Sequence, residues 1–464
     1  MMVAYRLESC GRREEALNGF ARLVGAIAVL VTVAVVGAGS AAPAGGSQKG
    51  SRSTHVVGYF IEWGIYGRQY LVKDVATSGS AARLDVVNYA FGNVAPDADG
   101  NVVCKLVDEW ADYQVPWTAD QSVTGEEVTW PRPILGNFQQ LQALKTLYPS
   151  LKVMISLGGW TLSKYFSDAA LTDASRQQLV SSCIDLFIKG NLPEPGWGGM
   201  GGPGAAAGVF DGIDLDWEWP GSEGNAGNII RPEDKQNFTK LVDEFREQLD
   251  AYGETTGEHY LLTSFLPAAP AKIDAGFEVG KIFDSLDFAT VQGYDLHGAW
   301  EARTNHQSNL YTSKNDPASP SFSVDDTVRA YLARGAPASE LVIGVPFYSR
   351  GWTGVAATNR GLYQLSSGPA PGVWESGVND YEVTKDLLSS GFTRYWDGKA
   401  FASWLFDGTT FWTFDDPKVM KHKAHYVLKN NLGGIMFWEL SGDTPDGELI
   451  DAIADRLSHG VRGR

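Results

Sequence analysis

The chain has 464 residues, of which 44% are hydrophobic and 12% are aromatic, so it is long enough to bury a large core. Its formal net charge is −17 at pH 7, and the acidic residues are spread along the sequence. This excess of negative charge argues against nucleic acid or an anionic membrane surface as a partner.

The first residues have the pattern of an export signal. Basic residues precede an apolar run at 23–36, which is shorter than the ~20 residues that a membrane-spanning helix needs, and a small-residue cleavage site follows at 42–44. We therefore predict a signal peptide over 1–44 and a Gly/Ser-rich linker over 45–54. The folded domain is predicted over 55–464, in a secreted protein without stable membrane association.

Apolar runs and helical patterns alternate along the rest of the chain. The predicted strands are 55–63, 84–94, 152–160, 209–219, 260–267, 286–296, 341–352 and 433–443. The predicted helices are 69–79, 135–147, 169–189, 232–251, 274–284, 323–334, 416–429 and 446–458. Eight such units predict an α/β fold, a closed (β/α)8 TIM barrel, whose chemistry lies where the strands end.

Two connections are too long to be simple loops. Residues 95–133 follow the second predicted strand. Residues 353–412 follow the seventh and contain strand-like pieces, which predicts a small α+β insertion domain forming one wall of a cleft. Cys104 and Cys183 are the two cysteines left after the predicted signal, and the sequence leaves one disulfide and two free thiols equally open.

The fourth predicted strand carries three carboxylates on one face. Alternation places Asp214, Asp216 and Glu218 together, with Ile213 and Leu215 on the opposite face toward the helices. Like charges ~6–7 Å apart on a buried strand are costly, and acid–base chemistry is the usual reason for them. Glu218, nearest the barrel mouth, is predicted to be a general acid above two aspartates that share a proton.

Other interpretations of this strand remain open. The carboxylates could ligate a hard cation such as Mg²⁺ or Ca²⁺, or they could be structural and satisfied by backbone and serine donors. Asp211 lies on the other face and is better explained by a local hydrogen bond. The complete pattern Asp-x-x-Asp-x-Asp-x-Glu at the end of a fourth barrel strand favours catalysis.

Two motifs resemble glycoside hydrolase family 18, the chitinases. DGIDLDWEWP (211–220) matches D-G-x-D-x-D-x-E, and SLGGW (156–160) matches S-x-G-G. The similarity extends over about 55–458 and, through GYDLHGAW, RGWTG and GVWESGV, to the bacterial chitinase A-like type with an α+β insertion. The resemblance implies an enzyme that hydrolyses β-1,4-linked N-acetylglucosamine with retention, in which the acetamido group of the substrate forms an oxazolinium ion.

The resemblance also implies partners and alternatives. The substrate would be chitin or chito-oligosaccharides, with no cofactor and no metal, and we expect a monomer. A non-catalytic sugar-binding protein on the same barrel is the main alternative, and it is disfavoured because Glu218 is present. An endoglycosidase acting on the chitobiose core of N-glycans is a third possibility.

Individual roles follow from the same resemblance. Glu218 would protonate the glycosidic oxygen and later activate water, while Asp216 would orient the acetamido group. Asp214 and Ser156 would hold Asp216 in place, with Tyr59 nearby.

The end of the sixth strand would contribute to sugar binding. Tyr294 would hydrogen-bond the acetamido oxygen, and Asp295 would bind the sugar at the cleavage point. Gln292 replaces a methionine of the family motif and changes the pocket floor. Arg350 is either a sugar ligand or one half of an ion pair.

Aromatic residues near the strand ends would stack on the sugars. Trp438 would lie under the sugar at the cleavage site. The other candidates are Trp63, Phe91, Trp160 and Trp300 from the barrel, and Trp374 with Glu375 from the insertion. Cis peptide bonds are expected at Ala90-Phe91, Glu218-Trp219 and Trp438-Glu439.

Overall fold

A computed structural model describes residues 54–195 and 199–461, with side chains through 458. The predicted signal peptide and all but the last residue of the predicted linker lie outside the described residues. Within these ranges, no helix combines the length and the apolar character needed to cross a bilayer.

The strands and helices alternate as the apolar runs predict. The strands are β1 His55–Ile61, β2 Val86–Pro96, β3 Val102–Lys105, β4 Lys152–Gly158, β5 Gly212–Asp216, β6 Leu261–Leu266, β7 Phe288–Val291, β8 Leu341–Pro346, β9 Tyr348–Thr353, β10 Gly368–Pro369, β11 Val378–Asp380, β12 Thr393–Asp397, β13 Ala402–Phe406, β14 Phe411–Phe414 and β15 Gly434–Trp438. The α-helices are α1 Val72–Thr77, α2 Gly136–Leu147, α3 Gly159–Leu162, α4 Phe166–Ala169, α5 Asp173–Cys183, α6 Asp234–Thr256, α7 Pro270–Gly276, α8 Val279–Ile282, α9 Val324–Ala333, α10 Tyr381–Asp386, α11 Pro417–Asn430 and α12 Glu448–Val461.

Eight parallel strands close into a barrel. Their order is β1-β15-β8-β7-β6-β5-β4-β2, and the pairing of β1 with β2 closes the ring. The short strand β3 runs antiparallel to the end of β2. The predicted (β/α)8 TIM barrel is therefore confirmed, and the carboxyl ends of its strands form one mouth.

The alternation along β5 separates the acids from the apolar residues. Ile213 and Leu215 are fully buried, and the following Trp217 stacks on Phe166 of α4 at 5.5 Å and lies 6.1 Å from Phe238 of α6. This face therefore packs on the helix layer, as the sequence predicts. The acidic face points into the barrel interior.

The helices of the outer layer begin and end at residues suited to those positions. Ser323 caps α9 by accepting a hydrogen bond from the Asp326 N–H at 3.1 Å. Asp416 caps α11 in the same way, with Pro417 in the first helical turn. Asn431 follows the last residue of the same helix and adopts the left-handed conformation.

A second, antiparallel sheet follows the seventh barrel strand. Its order is β10-β9-β14-β13-β12, with β11 paired to β9, and Trp352, Trp404 and Phe411 belong to its own small core. The prediction of one strand over 341–352 is wrong. The barrel strand β8 stops at Pro346, which has no N–H for the ladder, and β9 then begins the second sheet.

Cys104 and Cys183 form a disulfide. It joins β3, in the long connection after the second barrel strand, to the end of α5 across 79 residues of sequence. The structure thus settles the pairing that the sequence leaves open, and it fixes this connection to the helix layer.

Candidate active site

Asp214 lies fully buried in the barrel interior and accepts three hydrogen bonds from side chains of other barrel strands. The hydroxyls of Tyr59 and Ser156 donate to Oδ2 at 2.9 and 2.7 Å, and Thr263 donates to Oδ1 at 2.6 Å. Burial raises the pKa of Asp214, and these donors oppose the rise. The expectation that Ser156 holds Asp216 is therefore corrected, because the serine hydroxyl binds the deeper aspartate.

Asp216 is the last residue of β5 and lines the cavity at the barrel mouth. Its Oδ1 is buried, and no group among the described residues donates a hydrogen bond to it. Burial raises the pKa of Asp216 well above its ordinary value, with further contributions from Glu218 and then Asp214. Both aspartates therefore have raised pKa values, and the sharing of a proton between them stays a prediction.

Glu218 lies two residues beyond β5 and also lines the cavity. Burial raises the pKa of Glu218 to about 8; the ammonium group of Lys272 lowers it and the charge of Asp295 raises it. A carboxyl group with this pKa is mostly protonated at neutral pH. It can therefore donate a proton to a bound substrate, as a general acid must.

Tyr294 stands beside this pair of acids. Its ring stacks on Phe265, with 6.1 Å between the centroids, and the side chain is buried. Burial and the charges of Asp216 and Glu218 raise the pKa of Tyr294 well above its ordinary value. The phenol therefore stays protonated and can act as a hydrogen-bond donor.

Asp295 and Arg350 form a two-point ion pair in the cavity wall. The guanidinium Nε and Nη2 donate to Oδ1 and Oδ2 of Asp295 at 2.8 and 2.6 Å, and the Tyr348 hydroxyl adds a third donor at 2.7 Å. Of the two roles open to Arg350, the ion pair is the one that the structure contains. Both side chains still line the cavity and can contact a ligand.

The acids open into a cavity of about 880 Å³ with aromatic walls. Trp438 stacks nearly parallel to Phe91, with ring centroids 5.6 Å apart, and lies close to Tyr59 and Trp63. Gln292 also lines the cavity, and its Oε1 accepts a hydrogen bond from a backbone N–H at 3.4 Å. The predicted stacking residues Trp63, Phe91 and Trp438 thus line one cavity, and their contact with a sugar stays a prediction.

The rim of the cavity carries exposed indole rings. Trp160 is 50% exposed and Trp300 is 59% exposed, and both line the cavity. Glu375 of the insertion also lines it, 3.5 Å from Arg350. Trp374 is 45% exposed, lies 4.5 Å from the Arg68 guanidinium and donates its Nε1–H to Asp380. Arg68 and Asp380 both line the cavity, and the contact of Trp374 with a sugar stays a prediction.

Several residues at the site were not identified from the sequence. Thr263 binds Asp214, Lys272 lines the cavity near Glu218, and Ser163 accepts a hydrogen bond from the Glu218 N–H. These residues belong to no recognisable sequence motif. They are identified only because the fold brings their strands and loops next to the acids.

Two further observations concern the expected cis peptide bonds and the alternative of a metal site. The peptide bonds Ala90-Phe91, Glu218-Trp219 and Trp438-Glu439 are cis, as the resemblance implies. Across the residues that the structure describes, no group of three or more His, Cys, Asp or Glu side chains could hold a metal ion.

The chain was compared with known proteins. The family model for glycosyl hydrolases family 18 matches residues 55–443. Chitinase A1 of Niallia circulans is 36% identical over 430 residues, a match that covers 84% of this chain and 57% of the relative. Chitinase 63 of Streptomyces plicatus is 37% identical over 417 residues, covering 86% and 60%. The chain therefore spans less than two thirds of the length of these relatives.

Solved structures give the same result. The catalytic domain of the psychrophilic chitinase B from Arthrobacter TAD20 is 45% identical with a TM-score of 0.84, and the match covers 89% of this chain and 97% of that one. Chitinase ChiA74 from Bacillus thuringiensis is 34% identical with a TM-score of 0.74, covering 88% and 70%. On the match of the family model and of these relatives, the chain belongs to glycosyl hydrolases family 18.

Proposed function

We propose that this protein is a chitinase, which hydrolyses β-1,4 linkages between N-acetylglucosamine units with retention of configuration. Family membership supports glycoside hydrolysis, and the relatives that match most of this chain are named chitinases. The observation that carries the proposal is the carboxyl group of Glu218, which is buried in a cavity with aromatic walls and has a raised pKa of about 8.

In the proposed reaction the substrate supplies the nucleophile. Glu218 donates its proton to the glycosidic oxygen as the bond from that oxygen to the anomeric carbon breaks. The acetamido oxygen of the same sugar attacks the anomeric carbon and forms the oxazolinium ion. The Glu218 carboxylate then takes a proton from a water molecule, whose oxygen attacks the same carbon as the bond from that carbon to the acetamido oxygen breaks. The acetamido group and the acid are thereby regenerated, and the configuration is retained.

Asp216 and Tyr294 stabilise the acetamido group in this scheme. The buried Oδ1 of Asp216, which has no donor among the described residues, is available to accept the acetamido N–H. In its ionised form, Asp216 would also offset the positive charge that develops on the ring. Tyr294 keeps its proton and can donate it in a hydrogen bond to the acetamido oxygen.

The test compares two sugar hexamers that differ only in the acetyl group on each amino nitrogen. We expect the protein to cleave the hexamer of N-acetylglucosamine and to leave the hexamer of glucosamine intact, because the second lacks the acetamido nucleophile. Products are followed by mass spectrometry at equal substrate concentration. Comparable cleavage of both hexamers would refute substrate assistance, and cleavage of neither would refute the chitinase proposal.

We also propose that the protein is secreted. The disulfide between Cys104 and Cys183 supports an oxidising compartment, and the sequence predicts an export signal over 1–44. Chitinase activity is expected in the culture medium of cells that express the full chain. Retention of all activity inside the cells would contradict this proposal.

A further inference from the structure

The backbone of the proposed acid is held by side chains rather than by the barrel sheet. The strand β5 ends at Asp216, so the peptide groups of Glu218 lie beyond its ladder. The Glu218 N–H donates to the Ser163 hydroxyl at 2.9 Å, and the Asn228 side-chain amide donates to the Glu218 carbonyl at 2.9 Å. The position of the acid therefore depends on two side chains from two different loops.

Ser163 is also tied to the segment that carries an exposed tryptophan. Its side chain is fully buried, and its hydroxyl lies 2.8 Å from the Gly159 carbonyl oxygen and 3.1 Å from the Asp216 carbonyl oxygen. A hydroxyl has one hydrogen, so it donates to one of these carbonyls at a time while it accepts from Glu218. The helical turn between Gly159 and Ser163 presents Trp160 to the cavity.

We propose that Ser163 is a positioning residue that couples the Trp160 segment to the proton donor. A sugar bound on Trp160 would hold this turn in place, and the Ser163 hydroxyl would transmit that restraint to the Glu218 peptide. Removal of the hydroxyl leaves the Glu218 N–H without its acceptor. A misplacement of ~1 Å at a reacting group can lower a rate ~100-fold.

The test separates loss of acid catalysis from general damage, and it rests on the proposed hydrolysis of chito-oligomers. In Ser163→Ala, kcat/KM for the N-acetylglucosamine hexamer should fall roughly 10- to 100-fold. For the dinitrophenyl glycoside of chitobiose, whose leaving group needs little protonation, the fall should stay below about threefold. Ser181→Ala, on the exposed face of α5, is the matched control and should behave as wild type.

Two more measurements test the inference, and the first of them does not depend on the folding of Ser163→Ala. Asn228→Ala releases the other side of the Glu218 peptide and should show the same difference between the two substrates. In a double-mutant cycle on the hexamer, Trp160→Ala should cost less in the Ser163→Ala background than in wild type.

The outcomes separate this inference from the proposed function. A wild-type protein that fails to cleave the hexamer would refute the proposed function itself. With an active wild type, equal losses on both substrates, no loss on the hexamer, or strictly additive effects of Trp160 and Ser163 would overturn the coupling.

Discussion

Replacing Glu218 with glutamine is the sharpest perturbation of the proposed mechanism, because it removes the proton and keeps the size of the side chain. With a pKa of about 8, roughly nine tenths of the wild-type acid is protonated at pH 7. A positioned general acid contributes ~10²–10⁴-fold to the rate. Since the proposed mechanism uses the same group again as the base, we expect Glu218→Gln to lower kcat by ~10³-fold or more, about 4 kcal/mol of activation free energy.

The assay measures catalysis and binding on the same hexamer of N-acetylglucosamine. Release of reducing ends gives kcat, and quenching of tryptophan fluorescence gives the dissociation constant, because Trp63, Trp160 and Trp438 line the cavity. Binding should stay within about threefold of wild type, since the glutamine removes no wall of the cavity. The control is Glu254→Gln on the exposed surface of α6. A Glu218→Gln protein that retains more than about a tenth of the wild-type kcat would refute general acid catalysis by this residue.

Three other changes have defined outcomes. Burial and Asp112 raise the pKa of Glu62 from 4.5 to about 11. The folded state therefore holds a proton that the unfolded chain releases, and the free energy of unfolding falls as pH rises between these two pKa values. Glu62→Gln should raise Tm near pH ~9 and leave it unchanged near pH ~4. Reduction of the disulfide, which spans 79 residues, should lower the free energy of unfolding in urea by roughly 4 kcal/mol. Arg350→Lys loses the two-point pairing with Asp295, and kcat/KM should fall about tenfold in the reducing-end assay.

Each of these changes has a control or a contradicting result. Glu127→Gln, at an exposed position, controls for the loss of one negative charge. Equal shifts in Tm at both pH values would contradict a buried proton on Glu62. Identical urea midpoints for the oxidised and reduced protein would contradict stabilisation by loop closure. Wild-type kcat/KM in Arg350→Lys would show that the fork geometry of the guanidinium is not needed.

The barrel and the depth order of the acids could be predicted from the sequence because both depend on local periodicity. Side chains alternate along a strand, so Ile213 and Leu215 fix which face packs on the helices and the acids must face inward. The boundary inside 341–352 could not be predicted in this way. The apolar pattern continues through Phe347, and only the pairing of β9 with β14 and β11 shows that the chain has entered a second sheet.

The hydrogen-bond partners of the acids could not be predicted, because they come from residues far apart in sequence. Ser156 is opposite Asp214 in the register of β4 and β5, so its hydroxyl reaches the deeper aspartate rather than Asp216. Thr263 is opposite the same aspartate on the other side. A shift of register by one residue would turn the side chains opposite Asp214 to the other face of the sheet. The sequence of one strand does not specify its register.

The disulfide and the contacts of Trp374 have similar explanations. The spacing of Cys104 and Cys183 is compatible with either redox state, and only the packing of β3 against α5 brings the two sulfur atoms together. Trp374 lies on the insertion as predicted, and its ring is held by Arg68 and Asp380, which line the cavity. Contacts between side chains of distant segments decided both outcomes.

In the proposed mechanism, retention at the anomeric carbon depends on the attack of the acetamido oxygen and on the double use of Glu218. Proton NMR of the N-acetylglucosamine hexamer, recorded in the first minutes after the enzyme is added and before mutarotation, reports the configuration of the new reducing end. The β-anomer should accumulate first and then decay toward the equilibrium mixture. Initial formation of the α-anomer would show direct attack by water and would contradict the oxazolinium mechanism.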